Sequence, residues 1–169
     1  MKPLIRTHEG RVALVTGAGQ GIGQAIALAL AERGARVIAT DLTLPLETVN
    51  KIGPTAYAFQ LDVTKEEDWR SVSIKSRDAG VVDIVVNNAG YFPNRSIDDL
   101  DLSTWRKTIA TNLDSHFLSA KYFLPGMRKK KWGSLRRNLL KHGRLGDNWN
   151  EPLYCLKDGN YRFHERFGE

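Results

Sequence analysis

A glycine-rich stretch near the start of the chain, Thr16-Gly-Ala-Gly-Gln-Gly-Ile-Gly23, has the spacing of a phosphate-binding turn. It follows a short apolar run and precedes a segment with helical periodicity. Gly17 would permit the tight turn, Gly21 would let the backbone approach a pyrophosphate, and Gly23 would let the helix pack closely on the strand. The free N–H groups of that helix would face the phosphates. The pattern predicts a dinucleotide-binding loop, and the alternative is a plain turn.

A carboxylate, Asp41, ends the next apolar run. At this position a carboxylate can accept hydrogen bonds from an adenosine ribose and would repel a 2′-phosphate. Asp41 therefore predicts a preference for NAD over NADP. The alternative is a turn aspartate beside Leu42 and Thr43.

Three further polar positions follow in order. Asp62 could accept a hydrogen bond from an adenine amino group, or it could be a turn or cap residue. Asn87-Asn-Ala-Gly90 ends an apolar run at the edge where open α/β sheets bind ligands, and an Asx turn is the alternative. Asn112 lies within a segment of helical periodicity, although asparagine is a poor helix former. This conflict indicates a role for its amide or for a neighbouring carbonyl, and the alternative is an asparagine that is merely exposed.

The segments that position these residues alternate in type. Apolar runs predict strands at residues 11–16, 36–41, 56–61 and 82–87, and helical periodicity predicts helices at 21–33, 44–52, 64–78 and 102–128. Thr64 and Glu67 have the spacing of a capping box, and Ser103 is a possible cap for the last helix. The alternation predicts an α/β fold, a Rossmann-type doubly wound parallel sheet.

With these motifs in order, residues 10–132 resemble the short-chain dehydrogenase/reductase family. The resemblance rests on the glycine stretch, on Asp62 after the third strand, on Asn87-Asn-Ala-Gly90 and on Asn112. It implies strand order 3-2-1-4, homo-oligomeric full-length relatives, and hydride transfer between a nicotinamide and a carbonyl or secondary alcohol of a small molecule. It implies NAD or NADP as cofactor, and Asp41 favours NAD.

The resemblance also implies roles for particular residues. Asn112 would act in catalysis by helping to hold a water that relays protons. The residues implied to bind the cofactor are Gly17, Gln20, Gly21, Ile22, Gly23, Asp41, Asp62, Val63, Asn88, Ala89 and Gly90. No metal site is expected.

After Trp132 the alternating pattern stops. The serine that holds the substrate oxygen in the family and the Tyr-x-x-x-Lys that transfers the proton are absent, and the spacing from Tyr154 to Lys157 is one residue too short. We therefore predict a dinucleotide-binding portion at residues 1–132 and a tail outside the family at 133–169, with the later strands missing. Such a chain would be inactive as an oxidoreductase, and a non-catalytic dinucleotide-binding or interaction module is the alternative.

A one-base frameshift near Gly133 accounts for this change. With a suitable choice of codons, deleting one base recodes the segment from Trp132 as W-G-R-F-V-G-I-S-S-N, which is the family's fifth strand with its serine. The same shift recodes 150–159 as T-S-H-Y-I-A-S-K-M-G, which contains Tyr-x-x-x-Lys. The alternatives are a divergent tail or a natural short form.

Composition excludes other classes of protein. The 169 residues are 41% hydrophobic and 26% charged, which is typical of a globular domain. Apolar runs fall short of the ~20 residues that span a bilayer, and the single cysteine, Cys155, is typical of the reducing cytoplasm. The net charge is +6, but the one basic run, 128–131, predicts a solvated helix end rather than a nucleic-acid site. We expect a cytoplasmic protein with neither membrane nor nucleic-acid partners.

Overall fold

The computed structural model describes residues 6–137, which form a parallel sheet with helices on both faces. The strands are β1 (Val12–Thr16), β2 (Arg36–Asp41), β3 (Ala56–Gln60), β4 (Ile84–Asn87) and β5 (Ser134–Arg137). The helices are α1 (Gly21–Glu32), α2 (Leu46–Ile52), α3 (Glu66–Lys75), α4 (Leu102–Ile109) and α5 (Ser115–Lys130). A short 3₁₀ turn covers Ser76–Asp78, and a π-helical segment, Ala110–Asp114, joins α4 to α5.

The strand order is β3-β2-β1-β4-β5, and every neighbouring pair is parallel. This order confirms the predicted doubly wound α/β fold. Because side chains alternate along a strand, β1 contributes to two cores. Val12 and Leu14 pack with Trp69 of α3 on one face, while Val15 packs with Ala27 of α1 on the other.

The prediction that later strands are missing was wrong for residues 134–137. Strand β5 pairs with β4 in the register Ile84↔Ser134 to Asn87↔Arg137, so β4 is not an edge of the sheet. A parallel ladder is built from backbone groups and can form without an apolar sequence. Leu135 supplies the one apolar side chain and packs against the core. The predictions for Tyr154 and Lys157 lie outside the described residues.

Two predicted helix starts were also wrong. Thr64 does not cap α3, because its backbone N–H and hydroxyl both donate to the Asp62 carboxylate, at 3.0 and 2.7 Å. An Asx turn therefore replaces the capping box. Asp101, rather than Ser103, caps α4 by accepting a hydrogen bond from the Thr104 N–H at 2.7 Å. Within residues 6–137, no helix is long and apolar enough to cross a membrane.

A buried carboxylate, Asp83, lies at the amino-terminal ends of the strands. It accepts hydrogen bonds from the Val12 N–H at 3.0 Å and from Lys130 Nζ at 2.6 Å, and it lies 3.4 Å from Arg11. The Arg11 guanidinium also stacks on the ring of Trp132. The basic run at the end of α5 is thus only partly solvated, since Lys130 pairs with this carboxylate.

Candidate functional site

A cleft of about 620 Å³ lies at the edge of the sheet where the strands end. Loops after β1, β2, β3 and β4 form its walls, together with one face of α4. Ten of the residues that the sequence predicts for cofactor binding line it: Gly17, Gln20, Ile22, Gly23, Asp41, Asp62, Val63, Asn88, Ala89 and Gly90. Gly21 and Asn112 are not among its lining residues. The structure therefore gathers segments far apart in sequence into one site.

The glycine loop has the backbone geometry that its residues suggested. Gly17 and Gly21 have φ of 62° and 57°, the left-handed region that side chains disfavour. A side chain at Gly23 would overlap the Gly17 carbonyl and the Asn88 amide, so only glycine allows α1 to approach the loop this closely. By contrast, the space beside Gly21 is open.

The first turn of α1 is free to bind an anion. Gln20 precedes the helix, its side chain makes no capping hydrogen bond, and the first turn contains no acidic residue. The first N–H groups of a helix lack partners within the helix, and its dipole places partial positive charge there. The loop therefore presents the kind of backbone surface that binds phosphate.

Asn88 ties the glycine loop to the end of β4. Its side-chain amide donates to the carbonyl oxygens of Thr16 and Gly17, both at 3.0 Å. The hydroxyl of Thr16 accepts hydrogen bonds from the N–H groups of Asn88 and Ala89, also at 3.0 Å. These four contacts fix the glycine loop relative to the segment that follows β4.

Two carboxylates lie on the wall formed by β2 and β3. Asp41 accepts hydrogen bonds from the N–H of Gly19 at 2.8 Å and from the N–H of Leu42 at 2.7 Å. It therefore lines the cleft and also orders the glycine loop. Asp62 forms the Asx turn with Thr64 and lies 3.9 Å from Lys65 Nζ, so the turn-residue alternative is realised at a position that also faces the cleft.

Asn112 acts on the cleft through the backbone of Tyr91. Its carbonyl oxygen accepts from the Tyr91 N–H at 2.9 Å, and its amide donates to the Tyr91 carbonyl at 2.8 Å. This pairing accounts for an asparagine within a helix, and it occurs in the π-helical segment. Asn112 thereby fixes the chain that follows Gly90.

A second polar group, His116, lies on α5 and is half-buried. Burial, and then the charge of Arg137, lower the pKa of His116 to about 4. Within the described residues its Nε2 atom has no hydrogen-bond partner, and neither does Oδ1 of Asn87. His116 does not line the cleft.

Seven residues of the cleft wall are not among the predicted site residues: Leu42, Leu61, Thr64, Tyr91, Phe92, Lys107 and Thr111. Tyr91 and Phe92 directly follow the predicted Asn87–Gly90 motif. Thr111 precedes Asn112, and Lys107 lies four residues earlier on the same helical face. Helical spacing back from Asn112 was the signal that could have located these last two.

Comparison with known proteins gives consistent matches. The family model described as short chain dehydrogenase matches residues 11–135. The 3-oxoacyl-acyl-carrier-protein reductase FabG of Vibrio cholerae is 42% identical over 130 residues, which cover 75% of this chain and 53% of that protein. The chain thus spans about half the length of the curated relatives it matches.

Solved structures match the fold as well as the sequence. A 3-ketoacyl-acyl-carrier-protein reductase from Brucella melitensis, complexed with NADH, has a TM-score of 0.71 and 29% identity, covering 74% of this chain and 53% of that one. A candidate NAD(P)-dependent gluconate 5-dehydrogenase from Beutenbergia cavernae, with bound NADP, has a TM-score of 0.76 and 31% identity. That match covers 90% of this chain and 63% of the other. The two complexes contain different nucleotides.

Proposed function

The chain belongs to the short-chain dehydrogenase family, and on that premise we propose that it binds a nicotinamide dinucleotide in the cleft at the carboxyl edge of its sheet. The observation that carries the proposal is the convergence of ten motif residues from four separate loops on one cavity. That edge is where open α/β sheets bind ligands. Such a dinucleotide, when bound, accepts or supplies a hydride.

Each part of the cleft has a role in this proposal. The start of α1 and the backbone at Gly21 hold the diphosphate, because the helix end is uncapped and the space beside Gly21 is open. Asp41 accepts hydrogen bonds from the adenosine ribose, and Asp62 and Val63 contact the adenine. Asn88, Ala89 and Gly90 form the opposite wall.

The proposed cofactor is NAD rather than NADP. The support is Asp41, whose carboxylate lies on the cleft wall and would repel a 2′-phosphate. Among the ion pairs of the described residues, Lys65 lies 3.9 Å from Asp62, and none gives Asp41 a cationic partner. An uncompensated carboxylate at this place favours a free ribose hydroxyl.

The proposed reaction moves a hydride between the nicotinamide and a small-molecule ketone or secondary alcohol. Asn112 would support it by holding the Tyr91 backbone and, through a neighbouring carbonyl, a water that relays protons. The serine that would hold the substrate oxygen and the Tyr-x-x-x-Lys that would transfer the proton are absent from the sequence. The chain as written is therefore proposed to bind dinucleotide without turning over substrate, as a family member's cofactor portion followed by a tail.

Calorimetry on the purified chain tests the proposal. Titration with NAD and with NADP should give saturable binding of NAD and weaker binding of NADP, and a panel of secondary alcohols should give no NADH absorbance. The matched variant is Gly21→Val, whose side chain meets no neighbour in the protein but would occupy the space that the diphosphate needs, so it should abolish binding of both nucleotides. A chain that melts cooperatively and binds neither nucleotide would refute the binding proposal, whereas measurable turnover would refute the claim of inactivity.

A further inference from the structure

One residue of the cleft that the family motifs do not include is Lys107 of α4. It is the only cationic side chain among the described residues that line the cavity, whereas Asp41 and Asp62 bring two carboxylates to the same cavity. Thr111, in the π-helical segment that follows α4, lines the cavity too. The end of α4 and the start of this segment therefore face the cleft, and α4 presents Lys107 to it.

The ammonium of Lys107 is positioned by an aromatic ring rather than by a carboxylate. Its Nζ lies 4.3 Å from the centroid of the Tyr91 ring, within the range of a cation–π contact. The backbone of Tyr91 is in turn held by the two hydrogen bonds from Asn112. Among the ion pairs of residues 6–137, none includes Lys107, so no carboxylate of these residues neutralises its charge.

The balance of charges in the cleft indicates a role for the Lys107 ammonium. A dinucleotide brings a negatively charged diphosphate into a cleft that already contains two carboxylates, and the helix dipole at α1 offsets only about half a charge. Lys65 lies near Asp62, but it is not a lining residue. Among the described residues that line the cleft, Lys107 alone adds a full positive charge.

We propose that Lys107 is a further cofactor-binding residue, whose ammonium attracts the diphosphate of the dinucleotide. The inference rests on the proposed dinucleotide binding and adds a residue and a charge to it. An exposed ammonium interacts through solvent, so its effect is modest and sensitive to salt.

Binding of two probes tests this role without any hydride transfer. ADP-ribose contains the diphosphate, and adenosine lacks it. For Lys107→Gln at low ionic strength, we expect the Kd of ADP-ribose to rise about fivefold while the Kd of adenosine stays unchanged. The difference between variant and wild type should shrink in ~1 M salt, where screening acts within about 3 Å. Lys107→Arg should retain the wild-type affinity.

Two controls separate this effect from others. Lys129→Gln removes a charge from an exposed position on α5 and should leave the affinity for ADP-ribose unchanged. The melting temperature of Lys107→Gln should equal that of the wild type, because Lys107 is exposed. Unchanged ADP-ribose affinity in Lys107→Gln would overturn the inference alone, and so would an equal loss for adenosine, which would place Lys107 against the nucleoside. A wild-type chain that binds neither probe would refute the proposed function as well.

Discussion

The Asp41 carboxylate combines two duties, since it faces the cleft and also accepts hydrogen bonds from the N–H groups of Gly19 and Leu42. Replacing it with serine and Leu42 with arginine removes the repulsion of a 2′-phosphate and adds a cationic partner for it. We expect the ratio of NADP to NAD affinity to rise at least about tenfold, as measured by calorimetry. Leu42→Arg alone is the control and should change the ratio less. An unaltered ratio in the double variant would remove Asp41 from the ribose site.

The two glycines at the start of α1 should respond differently to alanine. Gly23→Ala should lower the free energy of unfolding substantially, because the new methyl would overlap the Gly17 carbonyl and the Asn88 amide. Gly21→Ala meets no neighbour and should cost only about 1–2 kcal/mol, the penalty of its left-handed backbone. Urea denaturation of both variants measures the difference. Equal losses of stability would contradict the close packing of α1 on the loop.

His116 should make the fold sensitive to mild acid. Burial and Arg137 lower its pKa from 6.5 to about 4, so the unfolded chain takes up the proton more readily than the folded one. The stability due to neutral His116 is therefore fully present above pH 6.5 and is lost as the pH falls toward 4. The loss amounts to about 3 kcal/mol at most. His116→Leu should lose less stability than the wild type between pH 7 and pH 4 in urea denaturation, and a loss equal to that of the wild type would contradict the assignment.

Two substitutions in strand β5 test whether this strand stabilises the fold. Leu135 packs against the core, whereas Arg136 is exposed on the same short strand. Leu135→Asp should destabilise the fold by about 1–3 kcal/mol, because it places a charge against apolar side chains. If β5 detaches as a result, β4 becomes the edge of the sheet, and the variant should aggregate more readily. Arg136→Ser should change stability by less than about 0.5 kcal/mol. If the two variants melt alike, β5 does not contribute to the described fold.

The sequence predicted the elements that have a pattern of their own. Strands β1 and β4 are buried along their whole length, so the sequence shows each as a run of mainly apolar residues. The glycine loop was predictable because its glycines have a spacing that is typical of a phosphate-binding turn. Strand β5 was missed because Ser134–Arg137 pairs through its backbone beside β4 and carries two arginines. Its presence depends on a neighbour, which a local pattern does not include.

The site was predictable to the same degree. The motif glycines and Asp41 were predicted from their spacing, whereas the other predicted site residues depended on the resemblance to a known family. Lys107 and Tyr91 were not predicted, because they join the cleft only through the packing of α4 against the loop after β4. The helix start at Thr64 failed for a local reason, since Asp62 competes for the same hydroxyl and N–H groups.

For the molecule as a whole, the decisive prediction concerns the tail at residues 133–169 and the proposed frameshift. We predict that removing one base at the Gly133 codon restores the family sequence, placing Arg-Phe-Val-Gly on β5 in place of Ser134–Arg137. The two arginines at 136 and 137 would give way to valine and glycine, so the strand should pack better and the serine and Tyr-x-x-x-Lys would follow. The restored protein should be more soluble and should reduce NAD with a secondary alcohol. A gene in which no single-base change opens the family frame would contradict the frameshift.

The contacts of Asn88 bear on when the cleft comes into being. Its amide meets carbonyl oxygens 71 and 72 residues earlier in the chain, so the glycine loop reaches its final shape only after β1 has paired with β4. Contacts between such distant residues carry a large loop-closure entropy and form late. A nascent chain that ends before Asn88 would therefore lack the dinucleotide site. A dinucleotide would bind only the folded cleft, so it would slow unfolding and would not assist folding.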